Sequence, residues 1–316
     1  MSKLKTIFIG TPDFSVPSLR ALINDARFEV VASITQPDKK IGRRQTITPT
    51  PVKVIAQENN IPVYQPEKIS LDDLRISEVD LIVVVAYAQI IPESILNFPK
   101  YGCVNVHGSL LPKYRGASCI QATIENGDKE TGITIMKMDK GLDTGPIIFQ
   151  EKYVLEEKDT YGGVYIKLSE LGGKILPDTL IRYTEGKLKP IAQDNSLSSY
   201  VPMLKKDDGR INWTKDAKVI ERFIRSRQPW PSAFTRLLFS EMDSLNFYLK
   251  ILEVESKVME VNTYKPGQMF LDINELCVQC GHNALKLRRV QMEAKKVMDA
   301  VEFIRGHKDF VGKFLR

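Results

Sequence analysis

The stretch that decides the fold is Tyr101-Gly102-Cys103-Val104-Asn105-Val106-His107-Gly108-Ser109-Leu110-Leu111-Pro112. It follows a proline and runs through apolar residues to Val106, which predicts a short buried strand with Asn105 and His107 at its carboxyl end. Side chains two residues apart face the same side of a strand, so Asn105 and His107 can point into one crevice. Residues 108–112 are predicted to form a loop, because they have no helical period and end in a proline.

A second candidate loop lies further along the chain and reads Gly141-Leu142-Asp143-Thr144-Gly145-Pro146. Its glycines allow the backbone to approach a ligand closely, and Asp143 is its only ionisable side chain. A single histidine at a strand end, or a single aspartate in a glycine turn, is more often structural than catalytic. Together, however, the amide of Asn105, the imidazole of His107 and the carboxylate of Asp143 are the groups needed to pass an acyl group to an amine.

The first half of the sequence alternates strand-like and helix-like segments. Strand-like apolar runs cover 6–10, 28–35, 81–86 and 102–107, and helical segments lie near 18–24, 52–59 and 119–126. This order predicts an α/β fold with a doubly wound, mostly parallel sheet, which binds ligands at the carboxyl ends of its strands. The turn after the first strand lacks the G-x-G-x-x-G pattern that holds a dinucleotide, which disfavours a nicotinamide enzyme.

We expect two domains joined by a linker. A long helical segment at 160–182 closes a first domain of residues 1–184, and residues 185–206 lack clear periodicity, as linkers do. Residues 207–316 begin with a basic helix at 216–227, followed by short strand-like runs with turn signals. This second domain is predicted to be a small β-barrel.

Composition excludes several classes of protein. The chain has 316 residues, enough for a large core, and its N-terminus enters a strand without a hydrophobic region long enough for a signal peptide or a membrane span. These features predict a cytoplasmic enzyme without membrane contact. The four cysteines make no disulfide framework. We expect no metal at Cys277-Val278-Gln279-Cys280, because a second cysteine pair is missing from the sequence.

Positive charge is concentrated in the C-terminal third. The formal net charge is +6, and residues 200–316 hold 21 Lys+Arg against 15 Asp+Glu, which accounts for the whole excess. Such asymmetry suggests a polyanionic partner. A further basic segment at 37–45 places four cations within six residues. Because it contains proline and glycine, we expect it to be an exposed loop without regular structure.

Four motifs carry a resemblance to a known family. They are Asn105-Val106-His107, the run SLLPKYRGA at 109–117, Gly132-Ile133-Thr134 and Asp143-Thr144-Gly145. In this order they closely resemble the signature of the formyltransferases that use 10-formyltetrahydrofolate. The resemblance extends over nearly the whole chain, through 10–14, 36–39, 48–53, 84–87, 210–213, 224–231 and 302–306. Within that family, the chain is similar to the members that formylate initiator methionyl-tRNA, whose C-terminal barrel is OB-like.

The resemblance implies transfer of a formyl group from 10-formyltetrahydrofolate to the α-amino group of methionine on the initiator tRNA. Asn105 is expected to hydrogen-bond the oxyanion, and His107 to act as a general acid or charge stabiliser. Asp143 is expected to hold His107 and raise its pKa, with a water as a proton relay. No metal is needed, and the family precedent is a monomer. The expected folate contacts are Ser109, Leu110, Leu111, Pro112, Val85, Tyr87, Ile90 and Asp139.

Basic residues are the predicted tRNA contacts, since arginine binds phosphate in two places and also stacks on bases. In the resembled enzymes a loop at the position of 37–45 wedges into the acceptor end of the tRNA, and Gly42-Arg43 matches its core. The predicted contacts are Lys39, Lys40, Arg43, Arg44, Lys205, Lys206, Arg225, Arg288 and Lys295.

Two other functions stay open on the sequence alone. One is a folate-dependent N-formyltransferase acting on an amino-sugar nucleotide, and the other is a non-catalytic RNA-binding protein that uses the barrel. The basic segment at 37–45 and the basic C-terminal third disfavour the first, and the complete set of three candidate catalytic residues disfavours the second. The chain departs from the usual family pattern at Ala88-Gln89 and Ser118-Cys119. These positions border the folate loops, so the family pattern does not predict the shape of the folate pocket here.

Overall fold

The computed structural model describes residues 2–42, 45–71, 78–237, 247–255 and 257–316. The chain forms two compact units. The first contains Met1–Cys119, Glu130–Val154 and Tyr165–Pro202, and the second contains Ile120–Lys129, Leu155–Val164 and Met203–Arg316. Two short segments from the first half of the sequence therefore belong to the second unit.

The first unit is built on a seven-stranded sheet with a two-stranded hairpin. The strands are β1 (Leu4–Gly10), β2 (Phe28–Ile34), β3 (Lys39–Ile41), β4 (Thr46–Thr48), β5 (Val63–Tyr64), β6 (Leu81–Val85), β7 (Cys103–His107), β8 (Glu130–Lys137) and β9 (Ile147–Val154). The order in the large sheet is β5-β2-β1-β6-β7-β8-β9. Neighbours from β5 to β7 are parallel, whereas β8 is antiparallel to both β7 and β9. The predicted α/β fold with a mostly parallel sheet is confirmed.

Local sequence explains why these elements form where they do. All five residues of β6 are apolar and buried, as expected for a central strand of a parallel sheet that is covered on both faces. The helices that follow the early strands are α1 (Val16–Asn24), α2 (Pro51–Glu58), α3 (Glu93–Leu96), α4 (Cys119–Asn126) and α5 (Tyr161–Thr184). At the start of α2 the Thr50 hydroxyl accepts a hydrogen bond from the Lys53 N–H at 3.2 Å, and Pro51 occupies the first turn.

The basic segment at 37–45 has regular structure, contrary to the sequence analysis. β3 and β4 pair antiparallel, with Lys39 opposite Thr48 and Lys40 opposite Ile47. The expectation of an irregular loop was wrong for residues 39–41 and 46–48, because Gly42 adopts a φ of +72°, which lets the chain turn directly after β3. Lys39 and Lys40 are exposed on this hairpin.

The second unit contains an antiparallel sheet, most of α4 and two further helices. These helices are α6 (Ala217–Ser226) and α7 (Ala300–Gly306), and the strands are β10 (Ala233–Leu237), β11 (Phe247–Val254), β12 (Met269–Asp272), β13 (Glu275–Gln279), β14 (Ala284–Met292) and β15 (Met298–Asp299). The strand order is β10-β11-β14-β13-β12, and β15 pairs with β14. Ala217, Ile220 and Ile224 of α6 join the buried core formed by these strands. The Asp216 side chain caps α6 by accepting a hydrogen bond from the Lys218 N–H at 2.7 Å.

The last residues of the chain close this sheet into a barrel. Phe314 forms a bridge with Gln268 next to β12, and Leu315 forms one with Leu237 at the end of β10. The backbone N–H of Leu315 donates to the Gly267 carbonyl at 2.8 Å. The edge strand β10 and the segment next to the edge strand β12 therefore both pair with the C-terminal residues Phe314 and Leu315. This pairing closes the sheet and covers edges that an open sheet would expose. The predicted OB-like β-barrel is confirmed.

Residues 185–202, interpreted from sequence as part of a linker, belong to the first unit. Ile191 forms an antiparallel bridge with Ile147 at the start of β9, and Tyr200 forms a parallel bridge with Arg115. This segment lacks helical or strand periodicity because its pairing is limited to single bridges. The predicted domain boundaries at 184 and 207 stay a prediction.

None of the described helices is both long and apolar enough to cross a membrane. The four cysteines, Cys103, Cys119, Cys277 and Cys280, are buried thiols that form no disulfide within the described parts of the chain. Among the described residues, no group of three or more His, Cys, Asp or Glu side chains is arranged to hold a metal ion.

Closure of the barrel makes Leu315 important for stability. Its side chain is 2 % exposed and packs in the barrel core. Leu315→Ala should lower the free energy of unfolding by about 2–5 kcal/mol, the usual cost of truncating a buried leucine. Denaturant unfolding measures this change, and Lys313→Ala, whose side chain is exposed on the same segment, is the matched control. Equal stability of the two variants would contradict a closing role for the segment.

Candidate active site

Two polar side chains of β7, those of Asn105 and His107, lie on the same face of the sheet. Asn105 lies opposite Met136 of β8, and His107 lies opposite Thr134. The alternating Val104 and Val106 are buried on the other face. The predicted strand and the predicted orientation of its two polar residues are therefore present.

The Asp143 carboxylate brings the three candidate catalytic residues together. Its Oδ1 accepts a hydrogen bond from Asn105 Nδ2 at 3.4 Å, and its Oδ2 lies 3.7 Å from His107 Nδ1. The same Oδ2 accepts a hydrogen bond from the Gly116 N–H at 2.8 Å. The side chains of His107 and Asp143 are only 8 % and 11 % exposed, so this ion pair is weakly screened by solvent.

The hydrogen bonds of His107 define its protonation. Its Nε2 lies 3.0 Å from the Tyr114 carbonyl oxygen, which can only accept, so Nε2 must carry a hydrogen. In a neutral ring Nδ1 would then point a lone pair at the Asp143 carboxylate, which is repulsive. The imidazolium form removes this repulsion, because both ring nitrogens then face acceptors.

The pKa of His107 reflects this arrangement. Burial alone lowers it, but contact with the Cys119 sulfur, the Asp143 carboxylate and the Tyr114 carbonyl together raises it from 6.5 to about 9. The cationic form of the ring is therefore favoured at neutral pH. Cys119 thus borders the histidine ring as well as the folate loops, where the sequence departs from the family pattern.

Strained and tightly packed backbone positions Asp143. Asp143 itself has a φ of +53°, in the left-handed region that a non-glycine residue enters only when its surroundings hold it there. At Gly145, an added Cβ would lie 1.8 Å from the Lys137 carbonyl oxygen, so the loop lies directly against the end of β8.

Two residues that the sequence analysis did not single out fix the loop after β7. The Thr134 hydroxyl donates to the Ser109 carbonyl at 2.6 Å and accepts from the Leu111 N–H at 3.0 Å. Gln150 donates to the Leu111 carbonyl at 2.9 Å. Thr134 belongs to the motif at 132–134, but only the pairing of β7, β8 and β9 shows that its hydroxyl holds the loop after β7.

The predicted folate-binding residues fall into an accessible group and a buried group. The side chain of Ile90 is 92 % exposed, Asp139 is exposed, and Leu110 and Pro112 are half-buried. These groups are accessible to a ligand. Asp139 also shapes its own loop, since it accepts hydrogen bonds from the Gly141 N–H at 3.0 Å and the Thr144 hydroxyl at 2.6 Å. The remaining predicted contacts have buried side chains, and they are Val85, Tyr87, Ser109 and Leu111.

The predicted tRNA contacts also divide into two kinds. Arg225 forms an ion pair with Glu221 and donates to the Asp159 carbonyl at 2.7 Å. Arg288 forms ion pairs with Glu275 at 2.5 Å and Glu255 at 2.8 Å. Their charges are thus already matched within the second unit. Arg43 and Arg44 lie outside the described residues. The exposed predicted cations are Lys39, Lys40, Lys205, Lys206 and Lys295.

This fold and site define a class of enzyme, and comparison with known proteins identifies it. The family described as "Formyl transferase" matches residues 4–180, and "Formyl transferase, C-terminal domain" matches residues 203–308. The chain belongs to the formyl transferase family. A relative named "Methionyl-tRNA formyltransferase" from Lachnospira eligens is 43 % identical over 99 % of this chain and 99 % of its own length. The family membership predicted from the motifs is therefore confirmed.

Solved structures resemble the chain in fold. An N-formyltransferase from Helicobacter canadensis, in complex with folinic acid and dTDP-3-aminofucose, gives a TM-score of 0.65 at 19 % identity, covering 90 % of this chain and 99 % of its own. Methionyl-tRNA formyltransferase from Clostridium thermocellum gives a TM-score of 0.54 at 20 % identity, covering 80 % and 94 %. At these identities the structures establish the shared fold, while the 43 % identity to a curated relative carries more information about the acceptor.

The charge on His107 should depend on Asp143. Asp143→Asn keeps the size of the side chain but removes its negative charge, so the pKa of His107 should fall below about 9, while the contacts with Cys119 and the Tyr114 carbonyl continue to raise it. NMR titration of the histidine ring carbons measures this, with His282 and His307 as references in the same spectra. An unchanged titration of His107 would contradict the pairing.

The sign of the linked change in stability follows from the same values. Because the folded pKa of about 9 exceeds the ordinary 6.5, protonation of His107 stabilises the folded state fully below about pH 6.5. This contribution is lost as the pH rises through about 9. The unfolding free energy of Asp143→Asn should therefore depend less on pH across this interval than that of the parent protein.

Proposed function

We propose that this enzyme transfers the formyl group of 10-formyltetrahydrofolate to the α-amino group of methionine on initiator methionyl-tRNA, for translation initiation. The convergence of Asn105, His107 and Asp143 at the carboxyl end of β7 is the observation that carries the proposal. The identity of 43 % to a methionyl-tRNA formyltransferase over nearly the whole chain supports the choice of acceptor. We further propose that the protein is a cytoplasmic monomer, with a catalytic domain at 1–184 and a tRNA-binding domain at 207–316.

The proposed reaction begins when the neutral methionyl amine attacks the formyl carbon. The new N–C bond converts the formyl carbonyl into a tetrahedral oxyanion, and the bond from this carbon to N10 of the folate then breaks. Asn105 has two N–H donors on its amide, of which one faces Asp143. The other is the donor that we assign to the oxyanion.

His107 and Asp143 act on the charge and the protons of the reaction. The His107 imidazolium stabilises the oxyanion and gives a proton to N10 as the folate departs. Asp143 orients His107 and favours its cationic form, and a water relays the proton released by the attacking amine to the His107 ring, which restores the imidazolium. Folate is proposed to lie along the loop at 109–112 and beside Ile90 and Asp139, where the exposed predicted groups are found.

The tRNA is proposed to bind the exposed cations rather than those that are already paired. Lys39 and Lys40 on the β3–β4 hairpin, Lys205, Lys206 and Lys295 have exposed side chains. Arg43 and Arg44 remain proposed contacts on sequence grounds. The guanidinium groups of Arg225 and Arg288 would have to leave their acidic partners to contact phosphate, so their proposed contribution is through structure.

The deciding assay measures formyl transfer from 10-formyltetrahydrofolate to charged initiator tRNA. Uncharged initiator tRNA and charged elongator tRNA are the controls for the acceptor amine and for tRNA selection. Amino-sugar nucleotides are tested in parallel as acceptors. Transfer to an amino sugar but not to methionyl-tRNA would overturn the proposal, and absence of any transfer with intact RNA binding would favour a binding protein.

Asn105→Ala should lower kcat by about 100-fold or more while folate still binds, because one oxyanion donor is typically worth this much. His107→Ala and Asp143→Ala should also be severely impaired. The variant that carries both His107→Ala and Asp143→Ala should lose less kcat than the product of the two single losses, since this pair acts as a unit. Single-turnover formyl transfer, together with folate titration, measures these effects. Near-normal kcat in any single variant would remove that residue from the mechanism.

Exposed and paired cations should respond differently to salt. The double change of Lys205 and Lys206 to alanine should raise the KM for tRNA and reduce the slope of log affinity against log salt by about one unit for each lysine–phosphate pair that is removed. Arg225→Gln is the control, because it removes an equally basic residue whose partner Glu221 is only 1 % exposed. It should lower thermal stability and leave the salt slope unchanged. Parental salt dependence in the lysine variant would exclude these lysines as phosphate contacts.

A further inference from the structure

A strap made by residues 191–201 lies against the candidate active site. It falls between the two family matches, which end at residue 180 and resume at residue 203. The Arg115 N–H donates to the Ser199 carbonyl at 2.8 Å, and the Ala117 N–H donates to the Val201 carbonyl at 3.1 Å. The strap therefore pairs with the backbone on both sides of Gly116, whose N–H holds the Asp143 carboxylate.

Gln193 connects this strap to the loop that carries Asp143. Its Nε2 donates to the Asp143 carbonyl at 2.9 Å and to the Gly145 carbonyl at 2.7 Å. Its Oε1 accepts from Arg115 Nη2 at 2.8 Å and from Arg115 Nε at 3.2 Å. Both hydrogens and the oxygen of one amide are thus used within the site. A carboxylate or an apolar side chain at 193 cannot reproduce this pattern, because neither donates a hydrogen bond.

Arg115 completes the connection. Its side chain is almost fully buried, and its Nη2 also donates to Asn195 Oδ1 at 2.7 Å. Its neighbours along the chain are Tyr114, whose carbonyl receives the His107 hydrogen bond, and Gly116. One guanidinium and one amide therefore join the backbone that contacts His107 to the loop that carries Asp143.

The strap packs closely against the backbone of Gly116. Gly116 has a φ of +99°, and a Cβ added there would lie 2.3 Å from the Val201 carbonyl oxygen. No side chain at position 116 can be accommodated without moving the strap or the Gly116 N–H. The strap thus fixes the donor that holds Asp143, and Gln193 fixes the backbone on which Asp143 sits.

We propose that Gln193, anchored by Arg115, is a positioning residue that holds the Asp143 loop in the geometry required for formyl transfer. Asp143 has a positive φ and makes its contact with His107 at 3.7 Å, so a small shift of its loop would separate the pair. This inference rests on the proposed roles of Asn105, His107 and Asp143. It assigns a positioning function to a segment that the two family matches do not cover.

The test compares Gln193→Leu and Gln193→Glu with Leu197→Ala in the full-length protein. Leu197 lies on the same strap, and its side chain is 66 % exposed, so it is the matched control. We expect kcat to fall by about 10- to 100-fold in both Gln193 variants. A shift of about 1 Å in the position of a catalytic group can lower the rate by this amount. KM for tRNA and folate should stay within about 3-fold, since groups that bind the substrates are untouched.

A second readout separates positioning from a general loss of structure. In both Gln193 variants the His107 ring should titrate at a lower pH than in the parent. Arg115→Lys provides a milder change, because it keeps the charge and removes the two-pronged contact with Gln193. It should shift kcat and the His107 titration in the same direction by a smaller amount. If the Gln193 variants fail to fold, the Arg115→Lys protein alone decides the question.

The outcomes distinguish this proposal from the proposed mechanism. Parental kcat and His107 titration in the Gln193 variants, or in Arg115→Lys where it alone folds, would overturn the positioning role. This would leave the mechanism intact if Asn105→Ala and Asp143→Ala are inactive. An increase in KM for tRNA at parental kcat, shared by Leu197→Ala, would make the strap a tRNA contact and would also overturn the proposal. Activity in Asn105→Ala would instead count against the mechanism itself.

Discussion

The Asp143 carboxylate contacts the amide of Asn105, the ring of His107 and the backbone N–H of Gly116. One negative charge in a poorly solvated crevice thereby orients the amide and, together with the Cys119 sulfur and the Tyr114 carbonyl, favours the cationic imidazole. A buried carboxylate is costly unless hydrogen bonds and an opposite charge compensate it. The Gly116 N–H and His107 provide this compensation, and the loops at 108–116 and 141–145 have to be arranged around it.

Buried charge has a different task in the second unit. Glu221 of α6 pairs with Arg225, which also reaches the Asp159 carbonyl, and Arg227 pairs with Glu125 at 2.7 Å. These contacts attach the segments 120–129 and 155–164 to α6, although both segments are distant from α6 in sequence. Removal of Arg225 would leave the buried Glu221 carboxylate with Lys218, at 3.5 Å, as its remaining ion-pair partner in the described residues, and would therefore destabilise the unit. Arg225 of α6 and Arg227, which follows the helix, therefore stabilise the unit, whereas exposed lysines are available to bind a polyanion.

Much of the fold follows from local sequence signals. The apolar run of β6, the proline and threonine at the start of α2 and the period-two pattern of β7 indicate elements that the structure contains. The sequence does not predict the pairing of β3 with β4, because proline and glycine usually interrupt regular structure, although glycine also favours the tight turn of a hairpin. The closing bridges of Phe314 and Leu315 could not be predicted, since each consists of a single residue pair without periodicity.

The sequence by itself determined the family, the order of the elements and the three candidate catalytic residues. These features depend on motifs and on periodicity among residues that are close together in the chain. Tertiary structure alone decided which other residues support them. Gln193 and Arg115 are 78 residues apart in the chain and share one pair of hydrogen bonds. It also decided that Arg225 and Arg288 pair with carboxylates while Lys205 and Lys206 stay exposed. The physical reason is that hydrogen bonds and ion pairs depend on distance in space, whereas sequence patterns report only which side chains are available.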